Sequence, residues 1–361
     1  MASEAKAGLD GVVAAETVLS HVDGEAGQLI LRGLPVEVAA ARLDFEGVLA
    51  HLWAGFDRLA GEPAALRREL GQARVAAFGK LPGLLAATDG LTPTEGLRLL
   101  LASLGDAEKG SRFLAAVGAV PVFVAAVERR RRGQAPVVPD AKLGHAADFL
   151  RMLQGAPMSP ALVAALDAYL VTVSDHGLNA STFAARVVAS TRAGVLSSVV
   201  AALCALKGPL HGGAPGPVLD MLDKVGSPDR APAWVAGELL AGRRLMGFGH
   251  RIYKVRDPRA DVLKRVVASL ASPRIDLAEA VEKAALDALR RAKPDHPLDT
   301  NVEFYTALLL DAVGLHRDLF TPVFAMGRVA GWTAHVMEQE ASGRLLRPQS
   351  RYTGPAVREA A

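Results

Sequence analysis

Strand-like alternation of apolar and polar residues is nearly absent from this chain; large apolar residues recur at helical spacing, in stretches cut by glycine and proline. Ala161 to Val173 is one such stretch, and Ser159-Pro160 before it reads as an N-cap followed by proline at the first helical position. Asp257-Pro258 repeats that signal ahead of Ala260 to Ala271. Only Gln28-Leu-Ile-Leu-Arg-Gly33, between Gly27 and Pro35, suggests a short strand or hairpin arm. No repeated strand pattern supplies a central sheet, so the predicted fold class is all-α.

The 361 residues exceed the usual reach of one hydrophobic core, and half of them are hydrophobic, so two packed lobes are expected. Aromatics at 5% leave Ala, Leu and Val to fill the interior. Ser227 to Pro232 and Ala292 to Pro297 are proline-rich breaks flanking a helical section, which fits a smaller lobe inserted into a larger one. The longest apolar run, Phe113 to Val127, contains Gly118 and Pro121. It is shorter than the roughly 20 residues that span a bilayer, so no membrane partner is expected.

Basic residues number 41 against 38 acidic, a net charge of +3 that creates no global field of the kind a nucleic-acid binder carries. Arg129 to Arg132 lacks interleaved aromatics and reads as the solvated end of a helix, where cations suit the macrodipole. Anionic ligands must then be met by local arginines. The N-terminal Met-Ala-Ser-Glu-Ala-Lys lacks the apolar stretch of a secretory signal. The single cysteine, Cys204, excludes an intrachain disulfide and suits a reducing cytoplasm; within the apolar run Val199 to Leu206 it reads as a small core residue.

Chemistry concentrates in four stretches. Ser174-Asp-His-Gly-Leu-Asn-Ala-Ser181 places Asp175 beside His176, with Asn179 and Ser181 as caps of the helix that follows. Lys207-Gly-Pro-Leu-His-Gly-Gly213 carries His211, and Gly247-Phe-Gly-His-Arg-Ile-Tyr-Lys254 carries His250. Glycine beside an imidazole lets a ligand approach the backbone closely. No metal is expected, because there is no His-Glu-x-x-His, no paired cysteine and no carboxylate cluster at ligand spacing. No Gly-x-Ser-x-Gly marks a serine hydrolase. General acid–base work remains. Arg251, Lys254, Arg256 and Arg259 around His250 suggest an anionic ligand. In Asn301-Val-Glu-Phe-Tyr305, Glu303 enters a helix start, where its charge is favoured. Arg328 sits in an apolar helix with no nearby carboxylate in sequence, so its partner is sought in a ligand.

These motifs, with Thr321-Pro-Val-Phe-Ala-Met-Gly-Arg328, resemble the citrate synthase family in that family's order, over nearly the whole chain. The resemblance implies a large helical domain (1–210 and 324–361) with a smaller inserted one (211–323) that closes over substrate, assembled as a homodimer. It implies that His211 stabilises the enol of acetyl-CoA, His250 protonates the oxaloacetate carbonyl and Glu303 removes the methyl proton. His176, Arg259 and Arg328 match oxaloacetate-binding positions, and Arg347 matches an arginine that reaches the neighbouring subunit's site. Arg251, Lys254 and Arg256 lie where the family contacts coenzyme A, which enters as a thioester substrate; no further cofactor is expected.

One departure stands out: Glu303 occupies a position where many family members carry aspartate, so the base has one methylene more. The implied activity is citrate formation from acetyl-CoA and oxaloacetate. The alternatives are 2-methylcitrate formation from propionyl-CoA, or a catalytically silent homologue that binds coenzyme A or a dicarboxylate. One methylene in an apolar pocket is worth about 1–3 kcal/mol, so these motifs do not separate the two acyl donors.

Overall fold

The computed structural model describes residues 7–9, 11–105, 111–213, 215–294 and 298–355. Residues 1–6, where no secretory signal is read, and 295–297, in the second proline-rich break, lie outside them. Helices dominate. The first group is α1 (Val36–Arg42), α2 (Phe45–Trp53), α3 (Pro63–Phe78), α4 (Pro93–Ala102), α5 (Arg112–Arg131) and α6 (His145–Gln154). Next come α7 (Pro160–Thr172), α8 (Ala180–Ser190), α9 (Val195–Leu206), α10 (Pro215–Val225) and α11 (Ala231–Leu240). The last are α12 (Pro258–Ser269), α13 (Ile275–Ala292), α14 (Val302–Ala312) and α15 (Phe320–Ser342).

The expected hairpin arm is one limb of a small antiparallel sheet, β1 (Ser20–Asp23), β2 (Gln28–Leu31) and β3 (Leu34–Pro35). Ser20 pairs with Leu31 and Asp23 with Gln28.

Two helices form the spine. In α5 every residue from Ala116 to Glu128 is buried, as an all-round apolar helix requires. The apolar run around Pro121 is therefore a core helix. It packs on α3, α4, α6, α9 and α15, while α15 also meets α2, α7 and α8. Helix starts follow the local signals: the Ser159 side chain accepts from Leu162 N–H, that of Asn179 from Ser181 and Thr182 N–H, and that of Asp257 from Arg259 N–H.

The main hydrophobic cluster continues through Val218, Leu263 and Phe304 in α10, α12 and α14. A smaller cluster of Val235, Leu245, Ala285 and Leu289 joins α11 to α13. The segment 211–323 thus holds a satellite core and shares the principal one.

Two readings need adjustment. Cys204 is exposed, not buried: α9 turns Val195, Val199, Leu203 and Leu206 inward, and Cys204 falls on the other side of the helix. The arginines at the end of α5 are not simply solvated. Arg130 pairs with Asp89, and Arg131 and Arg132 both pair with Glu128.

Arg74 and Asp148, both 0% exposed, are paired at 2.8 Å. Arg74 also donates to Leu143 O at 2.6 Å, and Asp148 accepts from Asp140 N–H at 3.0 Å. Asp148→Ala leaves a buried guanidinium without its counter-charge, and stability should fall by about 3–5 kcal/mol. Chemical denaturation checks this; a loss under about 1 kcal/mol would contradict the pair's structural role.

Candidate active site

His176 occupies the connection between α7 and α8 and is 5% exposed. Its Nε2 lies 3.1 Å from the Tyr253 hydroxyl. Burial first, then the charges of Arg259 and Arg328, hold its pKa well below the usual imidazole value.

His250 sits in a loop stitched to the start of α14. Gly249 N–H donates to Asp299 O at 2.7 Å, Asn301 N–H to Gly247 O at 2.9 Å, and Asn301 Nδ2 to Gly249 O at 2.7 Å. Gly247 has φ +85°, and a Cβ there would lie 2.8 Å from that of Phe304, so only glycine fits. His250 Nδ1 accepts from the backbone N–H of Ile252 (3.0 Å) and Tyr253 (3.1 Å). A nitrogen that accepts carries no proton, so the neutral ring bears its hydrogen on Nε2. Burial, reinforced by Arg259 and opposed by Asp257, lowers its pKa to about 4. The His176 and His250 ring centroids are 5.6 Å apart.

His211 follows α9, with its ring centroid 6.2 Å from that of Phe324 on α15. Its Nε2 is 2.9 Å from Ser181 Oγ. The same hydroxyl receives Trp332 Nε1–H at 3.1 Å and lies 2.8 Å from Asn179 Oδ1. Burial, aided by Arg328 and Arg259, lowers the His211 pKa to about 4.

The cations differ in how they are compensated. Arg259, 3% exposed, binds the Asp257 carboxylate through Nε (3.0 Å) and Nη2 (2.8 Å), while Asp257 also accepts Val302 N–H at 3.2 Å. Arg328, 1% exposed, donates Nε–H to Val173 O at 2.6 Å, and its guanidinium carbon sits 4.8 Å from the Phe324 ring centroid. Its Nη1 is buried with no partner among the described residues. Burial lowers the Arg328 pKa to about 10. Set beside His176 and His211, this nitrogen is a donor available to an anion, whereas Arg74 Nη1, equally unpartnered, belongs to the structural pair with Asp148.

Glu303, half-buried in the first turn of α14, receives its backbone support from Asn301 Oδ1 at 3.0 Å. Burial raises its carboxyl to about 7, with Arg259 and Arg328 opposing and Asp257 adding to the rise. Among the described residues no side chain hydrogen-bonds that carboxyl group. Tyr169, fully buried on α7 with an unpartnered hydroxyl, feels the charges of Glu303, Arg328 and Arg259.

The three histidines, Glu303, Arg259 and Arg328 therefore share one electrostatic neighbourhood, although α7, α9, α12, α14 and α15 supply them from far apart in sequence. Four sequence candidates do not join them. Arg347 is exposed on the extended segment after α15. Arg256 is taken up internally by Asp261 (2.5 Å) and Glu282 (2.8 Å). Lys254 is exposed beyond His250, as is Arg251, whose guanidinium lies against Gly8. Ser181, read as a cap, instead holds His211. Tyr253 and Asp257, quoted within motifs but given no site role, bridge the two loops and anchor Arg259. Among the described residues no cluster of His, Cys, Asp and Glu has the arrangement of a metal site.

Residues 8–349 match the family described as citrate synthase, C-terminal domain. A putative citrate synthase 2 of Mycobacterium tuberculosis is 40% identical over 359 residues, covering 97% of this chain and 93% of the relative. A 2-methylcitrate synthase of Mycobacterium tuberculosis is 35% identical over 364 residues, covering 97% and 90%. The crystal structure of citrate synthase from Thermotoga maritima superposes with a TM-score of 0.86 at 34% identity, covering 98% of this chain and 97% of that one. The ternary complex of citrate synthase from Thermoplasma acidophilum with carboxymethyl coenzyme A and oxaloacetate gives 0.85 at 27% identity, covering 97% and 96%.

With pKa values of about 4, the His211 and His250 rings should remain neutral across the physiological range. Nitrogen-15 spectra of the imidazoles should show both uncharged at pH 6, with His250 in the Nε2–H tautomer. Titration of either ring near its ordinary value of about 6.5 would contradict the buried, cation-flanked setting.

Proposed function

The chain belongs to the citrate synthase family of acyltransferases, and on that premise we propose that it condenses acetyl-CoA with oxaloacetate and water to give citrate and coenzyme A. The observation that carries this reading is the convergence of three imidazoles and one carboxyl group beside a buried arginine with an unpartnered nitrogen. A solved relative that holds carboxymethyl coenzyme A and oxaloacetate supports the same pair of substrates.

The chemistry follows from the groups present. A thioester's methyl protons are very weakly acidic, so a carboxylate removes one only if the developing enolate oxygen is stabilised at once. Glu303 takes the proton. His211 presents Nδ1–H to the thioester oxygen once the Ser181 hydroxyl turns its one hydrogen from Asn179 Oδ1 to the ring's Nε2. The methyl carbon of the resulting enol attacks the ketone carbon of oxaloacetate. His250 Nε2–H donates to the ketone oxygen, which becomes the tertiary hydroxyl of citryl-CoA. Water then cleaves the thioester, releasing citrate and the thiol. Both imidazoles donate from the neutral state, matching the environment that holds their pKa values low.

Oxaloacetate brings two carboxylates. Arg328 Nη1 offers a buried donor for one, and Arg259, His176 and the partner subunit's copy of Arg347 complete the cradle in a homodimer. The exposed position of Arg347 on an extended terminal segment suits that reach. Arg251 and Lys254, exposed beyond His250, are the coenzyme A contacts in this reading; Arg256 is a structural strut of the same loop. The cytoplasmic setting read from the lone thiol belongs to the same proposal. A second reading, 2-methylcitrate formation from propionyl-CoA, is supported by the 2-methylcitrate synthase relative.

Free-thiol release from acetyl-CoA and propionyl-CoA, each with and without oxaloacetate, tests the proposal. Release that requires oxaloacetate and is faster with acetyl-CoA is expected. Preference for propionyl-CoA establishes the second reading, and no release with either donor establishes a silent binding protein.

Glu303→Gln should cut kcat by at least about 100-fold while oxaloacetate still binds. Near-normal turnover would remove Glu303 from the mechanism. The base acts only when ionised, and its carboxyl titrates at about 7. Activity should therefore rise with pH through that region and be lost below it. A flat profile between pH 5 and 8 would contradict the assignment.

A further inference from the structure

The small N-terminal sheet touches both loops that carry the oxaloacetate-side histidines. Ser20 on β1 donates its hydroxyl hydrogen to Asp175 Oδ2 at 2.5 Å, and its Oγ accepts Gly177 N–H at 2.9 Å. One hydroxyl thus ties together the residues on either side of His176. The same Asp175 oxygen lies 3.2 Å from His335 Nε2. Arg186 Nη1 is 3.0 Å from His335 Nδ1, and a guanidinium can only donate. His335 therefore accepts at Nδ1 and directs its Nε2–H at Asp175. Behind it, Arg186 is paired with Glu338 and bonded to Gln339 Oε1 at 3.0 Å, all of it buried. These buried hydrogen bonds make the floor under His176, and Ser20 is the link from that floor to β1.

The turn of the same hairpin grips the other loop. Asp23 Oδ1 holds the turn by accepting Glu25 and Ala26 N–H at 3.0 and 2.8 Å. Gly24 O accepts Lys254 N–H at 2.9 Å, and a Cβ on Gly24 would lie 2.3 Å from Ile252 O. Ile252 and Tyr253 are the residues whose N–H groups fix the proton position of His250, and the Tyr253 hydroxyl meets His176. No residue of the hairpin has a part in the proposed bond making and breaking.

We propose that the β1–β2 hairpin is the positioning element that sets His176 and His250 at their working separation, with Ser20 and Gly24 as its contact points on the two loops. Ser20 is a positioning residue: it acts on substrate only through Asp175 and Gly177. The proposal rests on the oxaloacetate-binding reading of the two histidines.

The test compares the full-length protein with Ser20→Ala, Ser20→Thr and Gly24→Ala, measuring oxaloacetate binding by calorimetry without acyl-CoA, KM for each substrate, and thermal midpoint. Ser20→Ala should weaken oxaloacetate binding about tenfold, with KM for acetyl-CoA within about twofold and the midpoint little changed. Ser20→Thr, which keeps the hydroxyl, should restore binding to within about threefold. Gly24→Ala, which displaces the Ile252 carbonyl, should lower kcat more than it raises either KM. Unchanged oxaloacetate binding in Ser20→Ala, equal loss in the threonine variant, or parallel loss of both substrates with a fall in midpoint would each overturn the proposal. If wild type binds oxaloacetate but releases no thiol, the condensation reading fails and calorimetry still decides the role of Ser20. Wild type that binds no oxaloacetate overturns both.

Discussion

Burial, reinforced by the charge of Arg259 and, for His176 and His211, by that of Arg328, sets the protonation state of the histidine cluster. Arginine keeps its proton even when burial is costly, whereas imidazole gives its proton up near neutrality. Where the two compete in a poorly solvated space, the rings become neutral and the guanidinium groups stay charged. The available acids are then neutral N–H donors, able to stabilise an oxygen as it gains charge. The same burial outweighs the attraction of both cations for the Glu303 carboxylate and raises its pKa to about 7, making it a stronger base than an exposed glutamate.

The two arginines divide their labour. Arg259 is matched within its own turn by Asp257, which also caps α12 and holds Val302 N–H, so that pair joins helix geometry to site charge. Arg328 has a carbonyl and an aromatic face but, among the described residues, no carboxylate hydrogen-bonded to it. Asp175 offsets part of its charge without a hydrogen bond, and a buried cation so incompletely matched costs folding free energy that an incoming dicarboxylate would return. Substrate binding and local order are coupled through that one side chain.

Much of this was legible in the sequence because the signals were local. The caps Ser159, Asn179 and Asp257 act on amides two or three residues away, so their helices start where the spacing predicts. His211 and His250 stood out because neighbouring glycines make room around them. What eluded sequence reasoning depends on distant partners. Cys204 lies in an apolar run, yet which face of α9 turns inward is decided by α4, α5, α8 and α15. Arg256 reads as a ligand contact until Glu282, 26 residues on, claims it. Ser181 caps nothing in its own right; its hydroxyl matters because His211 and Trp332 arrive from 30 and 151 residues away. The four-residue strand β1 carries too little alternation to announce itself, and its contact with Asp175 spans 155 residues.

A crystal structure with oxaloacetate and a non-reactive acyl-CoA analogue bears most directly on the central claim. The account predicts a substrate carboxylate on Arg328 Nη1 and the ketone oxygen within about 3.2 Å of His250 Nε2. It also places the analogue's acyl carbon between Glu303 and His211. Oxaloacetate bound elsewhere, or an Arg328 Nη1 still without a partner in the ternary complex, would contradict it.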